Sequence, residues 1–345
     1  MVDVAALAGV APITVSRVAN DSPAVQEETR RRVLAAMAEL GYQPNGAARA
    51  LATGQFATIG VITFTLATYG NARTVAATVT AAEEMGYSVM LLKASPRAGD
   101  IRGAYARLSK QAVDGVIVLV EEELAGAHDL TLPEGVPVVL ASGGSSQYHG
   151  VDSDQNGGAR QATEFLLSLG HRNVWHVSGP RRSFSASMRR EGWRATLAAA
   201  GLRPPRVLVG DWTARSGYLH GQKLAANPDV TAIFAANDQM AQGVMRALHE
   251  AGREIPGDVS VVGFDDREDS DSLWPPLTTV HQEFGEVGRQ CVAALLRQIR
   301  HDADDGPRMH TVPTRLVIRQ SAGPPRRRRR FPAPSGRGRS SPGAR

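Results

Sequence analysis

The sequence predicts an α-helical head, an α/β core built as two lobes, and a disordered basic tail. Three observations carry this prediction. Residues 1–44 hold only short helical patterns, apolar β-rich runs alternate with helical ones from Thr58 onward, and the chain after Gly323 is dominated by Pro, Arg, Gly and Ser. Continuous apolar strands alternating with helices mark parallel sheets covered on both faces. The strand candidates are too many for one sheet, so they are divided between two lobes.

Taken in order, residues 3–8 form a brief helix closed by Gly9, and residues 12–19 form a second. A third spans 29–40, with Val33, Met37 and Leu40 on one face and Gly41 as its stop. Pro44-Asn45 before GAARALA predicts a hinge helix of about two turns within 45–57, capped by Asn45. So short a helix is marginal in water, and Gly46 weakens it further, so it forms only when packed. The strand candidates of the core, 58–323, are TIGVITF, YSVMLL, VDGVIVLV, PVVLAS, NVWHVSG, RVLVGDW, AIFAAND, VSVVGFDD and TTVHQE. Between them lie helical patterns at 72–85, 161–169, 190–200 and 240–251. Residues 324–345 cannot bury enough apolar surface to order.

The net charge of +5 misleads, because the eight arginines after Gly323 stand without an acid and the remainder sums to −3. Residues 1–58 balance five arginines against five acids. A nucleic-acid partner therefore has to be argued from motifs. No apolar run reaches the roughly 18 residues of a membrane span. The opening MVDVAALAGV has no basic stretch and carries Asp3, so no secretory leader is expected. The single cysteine, Cys291, excludes an internal disulfide and fits a reducing cytoplasm.

Two short helices joined by Gly9-Val10-Ala11, with a third behind, fit a helix-turn-helix, whose second helix presents its N-terminal side chains to base edges. Those are Pro12, Ile13 and Thr14, followed by Ser16 and Arg17. Only Arg17 can grip a guanine with two hydrogen bonds, while Thr14 and Ser16 suit phosphate. Spacing alone fits a partnerless three-helix bundle equally well.

The run DVAALAGVAPITVSRVANDSPAVQEETRRRVLAAMAELGYQPNGAARALATG…IGVI resembles the head of LacI/GalR-family transcriptional regulators over some sixty residues in order. The resemblance implies base reading by Pro12, Ile13 and Arg17, and phosphate contacts from Thr14, Ser16 and Asn20. It also implies a paired hinge helix in the minor groove, with Asn45, Ala48 and Leu51 at the DNA and Leu51 as an apolar wedge. Two departures stand out: Ala11 and Gln26 replace the usual Ser caps of the second and third helices, with Pro12 offsetting the first loss by its fixed φ.

Through about Ile318 the chain is similar to the family's effector core, two Rossmann-like lobes akin to periplasmic sugar-binding proteins, in a pattern nearest to the β-galactoside-regulating members. The runs that carry this are LATYGNARTVAATV, SASMRREGW, GDWTARSG, AANDQMAQGVMRA and SVVGFDDREDSDSLWPPLTTVHQEF. The implied ligand is a small sugar, a galactoside first, bound between the lobes. Arg189, Asn237 and Asp265 would bond its hydroxyls, Trp212 would cover one face, Gln282 and Phe284 would line the cleft, and Leu66, Thr68 and Thr74 would meet it from the N-terminal lobe. Ser142 stands where galactoside-regulating members carry an acid, which weakens the choice of sugar. Structural roles are expected for Asp238 as a helix cap, for Asp266, for His171 in a surface turn, for Trp193 and Trp274 in packing, and for Arg190 as a solvated charge.

No G-x-G-x-x-G, P-loop, G-x-S-x-G, H-E-x-x-H or zinc-type cluster occurs, so no enzyme, cofactor or metal is expected. The expected partners are a pseudo-palindromic DNA operator, a sugar and a second copy of the chain, with no membrane. Such a protein belongs in the cytoplasm, at the nucleoid. A transport-type sugar-binding protein shares the core pattern but has no use for TVSRV.

Overall fold

Residues 1–19, 22–43, 54–122, 130–142, 147–302, 306 and 308–326 are described by a computed structural model. The expected positions Asn20, Asn45, Ala48 and Leu51 lie outside the described residues, as do the hinge stretch 44–53 and the tail from 327.

The head is three helices, α1 (Val2–Ala8), α2 (Pro12–Ala19) and α3 (Glu27–Glu39). Gly9 stops α1 in the left-handed conformation that only glycine adopts freely (φ 64°), and the Val10 amide donates to Ala5 O at 3.0 Å. The chain thereby turns through 100° between α1 and α2, the angle a helix-turn-helix requires. Val4, Ala5, Ala8, Val15, Val18, Val33, Ala36 and Met37 close the core. Leu40 does not join it: it terminates α3 and stays exposed, and Ala36 points inward in its place. α3 begins two residues earlier than the apolar period indicates, at Glu27. Gln26 precedes it without a side-chain cap, and Glu27 and Glu28 sit against the positive end of the helix dipole.

The chain divides into two units. The first holds the head, the chain through Asp152, and Phe284–Thr311. Its sheet runs in the order β11-β5-β4-β3-β1-β2, from β1 (Thr58–Thr63), β2 (Ser88–Lys93), β3 (Gly115–Leu119), β4 (Val138–Ala141), β5 (His149–Ser153) and β11 (Met309–Val312). Strands β1 to β5 pair in parallel, and every residue of β3 and β4 is buried. Helices α4 (Tyr69–Glu84), α5 (Ala98–Lys110) and α10 (Phe284–Ile299) belong to this unit.

The second unit, Ser153–Glu283 and the chain from Val312, carries a parallel sheet in the order β7-β6-β8-β9. Its strands are β6 (Val174–Ser178), β7 (Leu208–Val209), β8 (Ala232–Ala235) and β9 (Ser260–Val262), with helices α6 (Gln155–Ser168), α7 (Phe184–Ala199), α8 (Ala214–Ala225) and α9 (Asp238–Glu250). An antiparallel ribbon pairs β10 (Thr279–Gln282) with β12 (Thr314–Val317). Three strands, β5, β11 and β12, were not legible as apolar runs. HGVDS is half polar, and MHTV and TRLV alternate with charge or lie exposed.

Two expectations about packing fail. His171 is buried rather than at the surface; its ring nitrogens lie 3.0 Å from Thr231 Oγ1, 3.0 Å from Ser260 Oγ and 2.9 Å from Gly323 O. Trp274 is 92% exposed, because its neighbour Leu273 is the residue of that loop that packs on the core. Trp193 does pack, fully buried with its indole donating to Val174 O at 3.0 Å. The chain stays described to Arg326, which pairs with Asp258 at 2.9 Å and with Glu254.

Candidate functional site

In a parallel α/β sheet the loops that follow the strands gather at one edge, and ligands bind there. The second unit delivers one functional side chain from each such connection. Arg189 comes from α7 after β6, Trp212 follows β7, Asn237 follows β8 and Asp265 follows β9. Trp212 (φ 72°) and Asp265 (φ 116°) both hold the positive-φ backbone that non-glycine residues avoid, a strain that collects at functional sites.

These side chains hold one another. Arg189 is 4% exposed; its Nε donates to Gln155 Oε1 at 2.8 Å, and its Nη1 donates to Ala236 O and lies 3.5 Å from Asp265 Oδ1. Gln155 Nε2 donates to Gln282 Oε1 at 3.1 Å, and Gln282 Nε2 donates to Asp265 Oδ1 at 2.8 Å, which closes a ring of four residues. The guanidinium lies over the Phe264 ring at 3.7 Å and the Trp212 ring at 5.5 Å. Asp265 Oδ2 has no partner among the described residues. Burial pushes the Asp265 carboxyl up to about 7, against the pull of Arg189. Gly179 leaves room for the indole, since a Cβ there would meet the Trp212 ring at 2.4 Å.

Asn237 belongs to the same edge, and it is the helix cap. Its Oδ1 accepts from Met240 N at 2.9 Å and its Nδ2 donates to Trp212 O at 3.0 Å, which ties down the strained backbone at Trp212. The expected cap, Asp238, is instead a buried carboxyl gripped by Thr279 Oγ1 (2.5 Å), Ser270 Oγ (2.7 Å) and Arg267 N (3.0 Å), and burial raises it to about 6. The Asx geometry that caps α9 needs a residue in extended backbone just before the helix, and that residue is Asn237. Asp266 pairs with Arg319 at 2.7 Å and with His281 at 2.8 Å. Arg190 reaches only Ser187 Oγ, so the buried arginine of the pair is Arg189.

On the first unit the expected residues are less connected. Leu66 is half exposed, Thr68 precedes α4 without a side-chain cap, and Thr74 is buried with its hydroxyl donating to Gly70 O at 2.9 Å. Phe284 meets the Tyr69 ring edge-on at 5.8 Å. Gln155 escaped sequence reasoning, although it stands in the polar run DSDQN directly after β5.

In the head, α2 buries Val15 and Val18 and turns Pro12, Ile13 and Arg17 outward, with Thr14 and Ser16 half-buried between them. Ile13 is an apolar side chain, 59% exposed, at the front of the helix.

A head with this turn and an α/β core with polar side chains at the strand ends define ligand-responsive DNA-binding regulators. Residues 1–45 match the family described as bacterial regulatory proteins, lacI family, and residues 163–322 match the periplasmic binding protein-like domain. The chain belongs to the lacI family. It is 36% identical over 324 residues to the lactose operon repressor of Escherichia coli (strain K12), covering 92% of this chain and 89% of that protein. It is equally 36% identical over 337 residues to the transcriptional regulator CelR of Thermobifida fusca, covering 92% and 96%. Among solved structures, a lac repressor dimer bound to operator and the anti-inducer ONPF has a TM-score of 0.82 at 35% identity, over 93% of this chain and 98% of that one. A CelR–cellobiose complex has a TM-score of 0.68 at 32% identity, over 93% and 98%. No single helix among the described residues is long and apolar enough to cross a membrane.

Proposed function

We propose that the chain is a dimeric transcriptional repressor that reads a pseudo-palindromic operator and is controlled by a small sugar. The observation that carries the sugar reading is the second unit's edge, where four strand connections bring Arg189, Trp212, Asn237 and Asp265 together. Asp265 Oδ2 accepts a sugar hydroxyl, and the Trp212 ring offers an apolar face to the sugar's C–H groups. Nothing in this arrangement supplies an acid–base pair aimed at a bond to be broken, so the site binds rather than turns over.

On the DNA side, Arg17 grips a guanine, while Pro12 and Ile13 read thymine methyls and groove shape. The exposed Ile13 has no such use in a transport protein. The hinge over 45–57, with Asn45 and Ala48 at the DNA and Leu51 as the wedge, completes operator binding when two copies pair, and sugar binding weakens it. Solved relatives are a repressor dimer on operator with ONPF and a CelR–cellobiose complex, so a galactoside and cellobiose are the first ligands to try.

The test is a mobility shift on an operator obtained by binding-site selection, run with a sugar panel and with and without residues 324–345. Arg17→Ala is expected to lose about 1–3 kcal/mol of operator affinity and to relax selection at one base pair. An unchanged selected sequence would remove Arg17 from base reading, and tight sugar binding without any shift in operator affinity would end the induction model.

A further inference from the structure

The first unit has its own edge of strand ends, and Leu66 and Thr74, two of the residues expected to face a sugar there, offer it little polar capacity. Leu66 is apolar, Thr74 gives its hydroxyl to Gly70 O, and Ser142 follows β4, which ends at Ala141. Among the described residues two carboxyls directly follow β3, Glu121 and Glu122, and the first is tied to its neighbours. Glu121 follows β3, the neighbour of β1, and Thr63 at the end of β1 donates its hydroxyl to Glu121 Oε1 at 3.3 Å. Asn71, in the first turn of α4, donates to the same carboxyl and to Thr65 O at 3.1 Å. The Phe64 amide supports it as well.

Among the described residues no lysine or arginine pairs with Glu121, and Glu122 is the charge beside it. Burial therefore pushes its carboxyl up to about 7. A half-buried acid with neutral donors and no cation is unsuited to an ion pair and suited to accepting hydrogen bonds from neutral hydroxyls. Among the described residues of the second unit the one buried arginine, Arg189, already faces Asp265.

The geometry points to Glu121 as the residue of the first unit that binds an effector hydroxyl and rejects anionic ligands, so that the effector is an uncharged polyhydroxylated sugar. This rests on the sugar reading above and extends it, since that reading used none of Thr63, Asn71 or Glu121. A carboxylate or phosphate on the ligand would meet the Glu121 charge with nothing to neutralise it, and binding would force protonation or displacement of the acid.

The test is calorimetric titration of the full chain with lactose and cellobiose, and with their acids lactobionate and cellobionate, for wild type, Glu121→Ala, Glu121→Gln and Asp265→Asn. Thermal unfolding of each variant is recorded alongside. The wild type is expected to bind a neutral disaccharide at least tenfold more tightly than its acid. Glu121→Ala loses tenfold or more for the neutral sugar. Glu121→Gln keeps it within several-fold and narrows the discrimination against the acid, a change that a merely structural Glu121 would not produce. A cooperatively folded Glu121→Ala that binds the neutral sugar within twofold of wild type, or a Glu121→Gln that keeps the wild-type preference, overturns the inference. If those results come with a loss on Asp265→Asn, the sugar reading stands and only the role of Glu121 falls. If the wild type binds neither neutral disaccharide and binds an acid, both fall together.

Discussion

The two α/β units share parallel sheets and strand ends but finish them differently. In the second unit the edge is a closed set in which Arg189, Gln155, Gln282 and Asp265 satisfy one another and Asn237 clamps Trp212. In the first, Thr74 bonds its own helix, Leu66 stands half exposed, and Glu121 rests on a hydroxyl and an amide. The first kind of edge is preorganised: its groups are desolvated and oriented before any ligand arrives, at the cost of strained backbone at Trp212 and Asp265. The second is held by local bonds rather than by one ring: Glu121 accepts from Asn71, Thr63 and the Phe64 amide, and Thr74 donates within its own helix.

The sharpest way to break this comparison is to remove the centre of the closed set. Arg189→Met keeps an unbranched apolar side chain but removes the guanidinium from Phe264, Asp265, Gln155 and Ala236 O. Breaking a buried pair from one side costs about 3–5 kcal/mol, and that loss in denaturant-measured stability is expected here. The added Arg189→Met/Asp265→Asn pair is expected to recover part of it, because no uncompensated carboxyl then remains. A loss below about 1 kcal/mol for the single variant would mean that the ring is not a structural unit.

How much of this was legible beforehand follows the physics of each signal. The recognition helix, its Gly9 turn and the buried β1, β3, β4, β6, β8 and β9 are strong local patterns, and the structure has them. Arg189, Trp212, Asn237, Asp265 and Gln282 came from motif resemblance, and the structure gathers them at one edge. What was missed depends on partners distant in sequence. Gln155 matters only because Arg189 and Gln282 lie beside it, 34 and 127 residues away. Glu121 matters only because β3 is hydrogen-bonded to β1, which brings Thr63 within reach. Trp274 reads as a core residue by type, and only the placement of Leu273 shows that the loop buries the other one. The choice between Asn237 and Asp238 as cap turns on one residue of helix start, finer than periodicity resolves.

Gln155 offers a smaller and more selective break. Gln155→Ala removes the partner of Arg189 Nε and of Gln282 Oε1, and losing a buried hydrogen-bond partner costs about 1–3 kcal/mol. The expected result is that loss in stability together with weaker sugar binding, since Arg189 and Gln282 each lose the contact that links them through Gln155. The matching change on the first unit, Thr74→Val, removes a hydroxyl bonded within its own helix and is expected to cost less than Gln155→Ala. Equal losses at the two positions would erase the distinction between a closed and an open edge.

The smallest effect separates the two edges by pH. Asp265 and Glu121 are both held up to about 7 by burial, well above the ordinary carboxylate range, so the folded chain binds these protons more tightly than the unfolded chain does. Stability from each group is full below about pH 4 and is lost as pH climbs toward 7. Carboxylates held low by hydrogen bonds, such as Glu286 and Asp211, contribute the opposite slope at lower pH, and they cancel in a difference between wild type and variant. Melting temperatures between pH 4.5 and 8 should therefore show Glu121→Gln gaining on the wild type as pH rises, with the difference levelling above about 7. The same comparison for Asp265→Asn should show less gain than burial alone would give, because Arg189 then loses its acidic partner while the carboxyl's penalty is removed. Parallel curves for wild type and Glu121→Gln would mean that Glu121 is solvated like a surface acid, and the contrast between the two edges would then rest on the second unit alone.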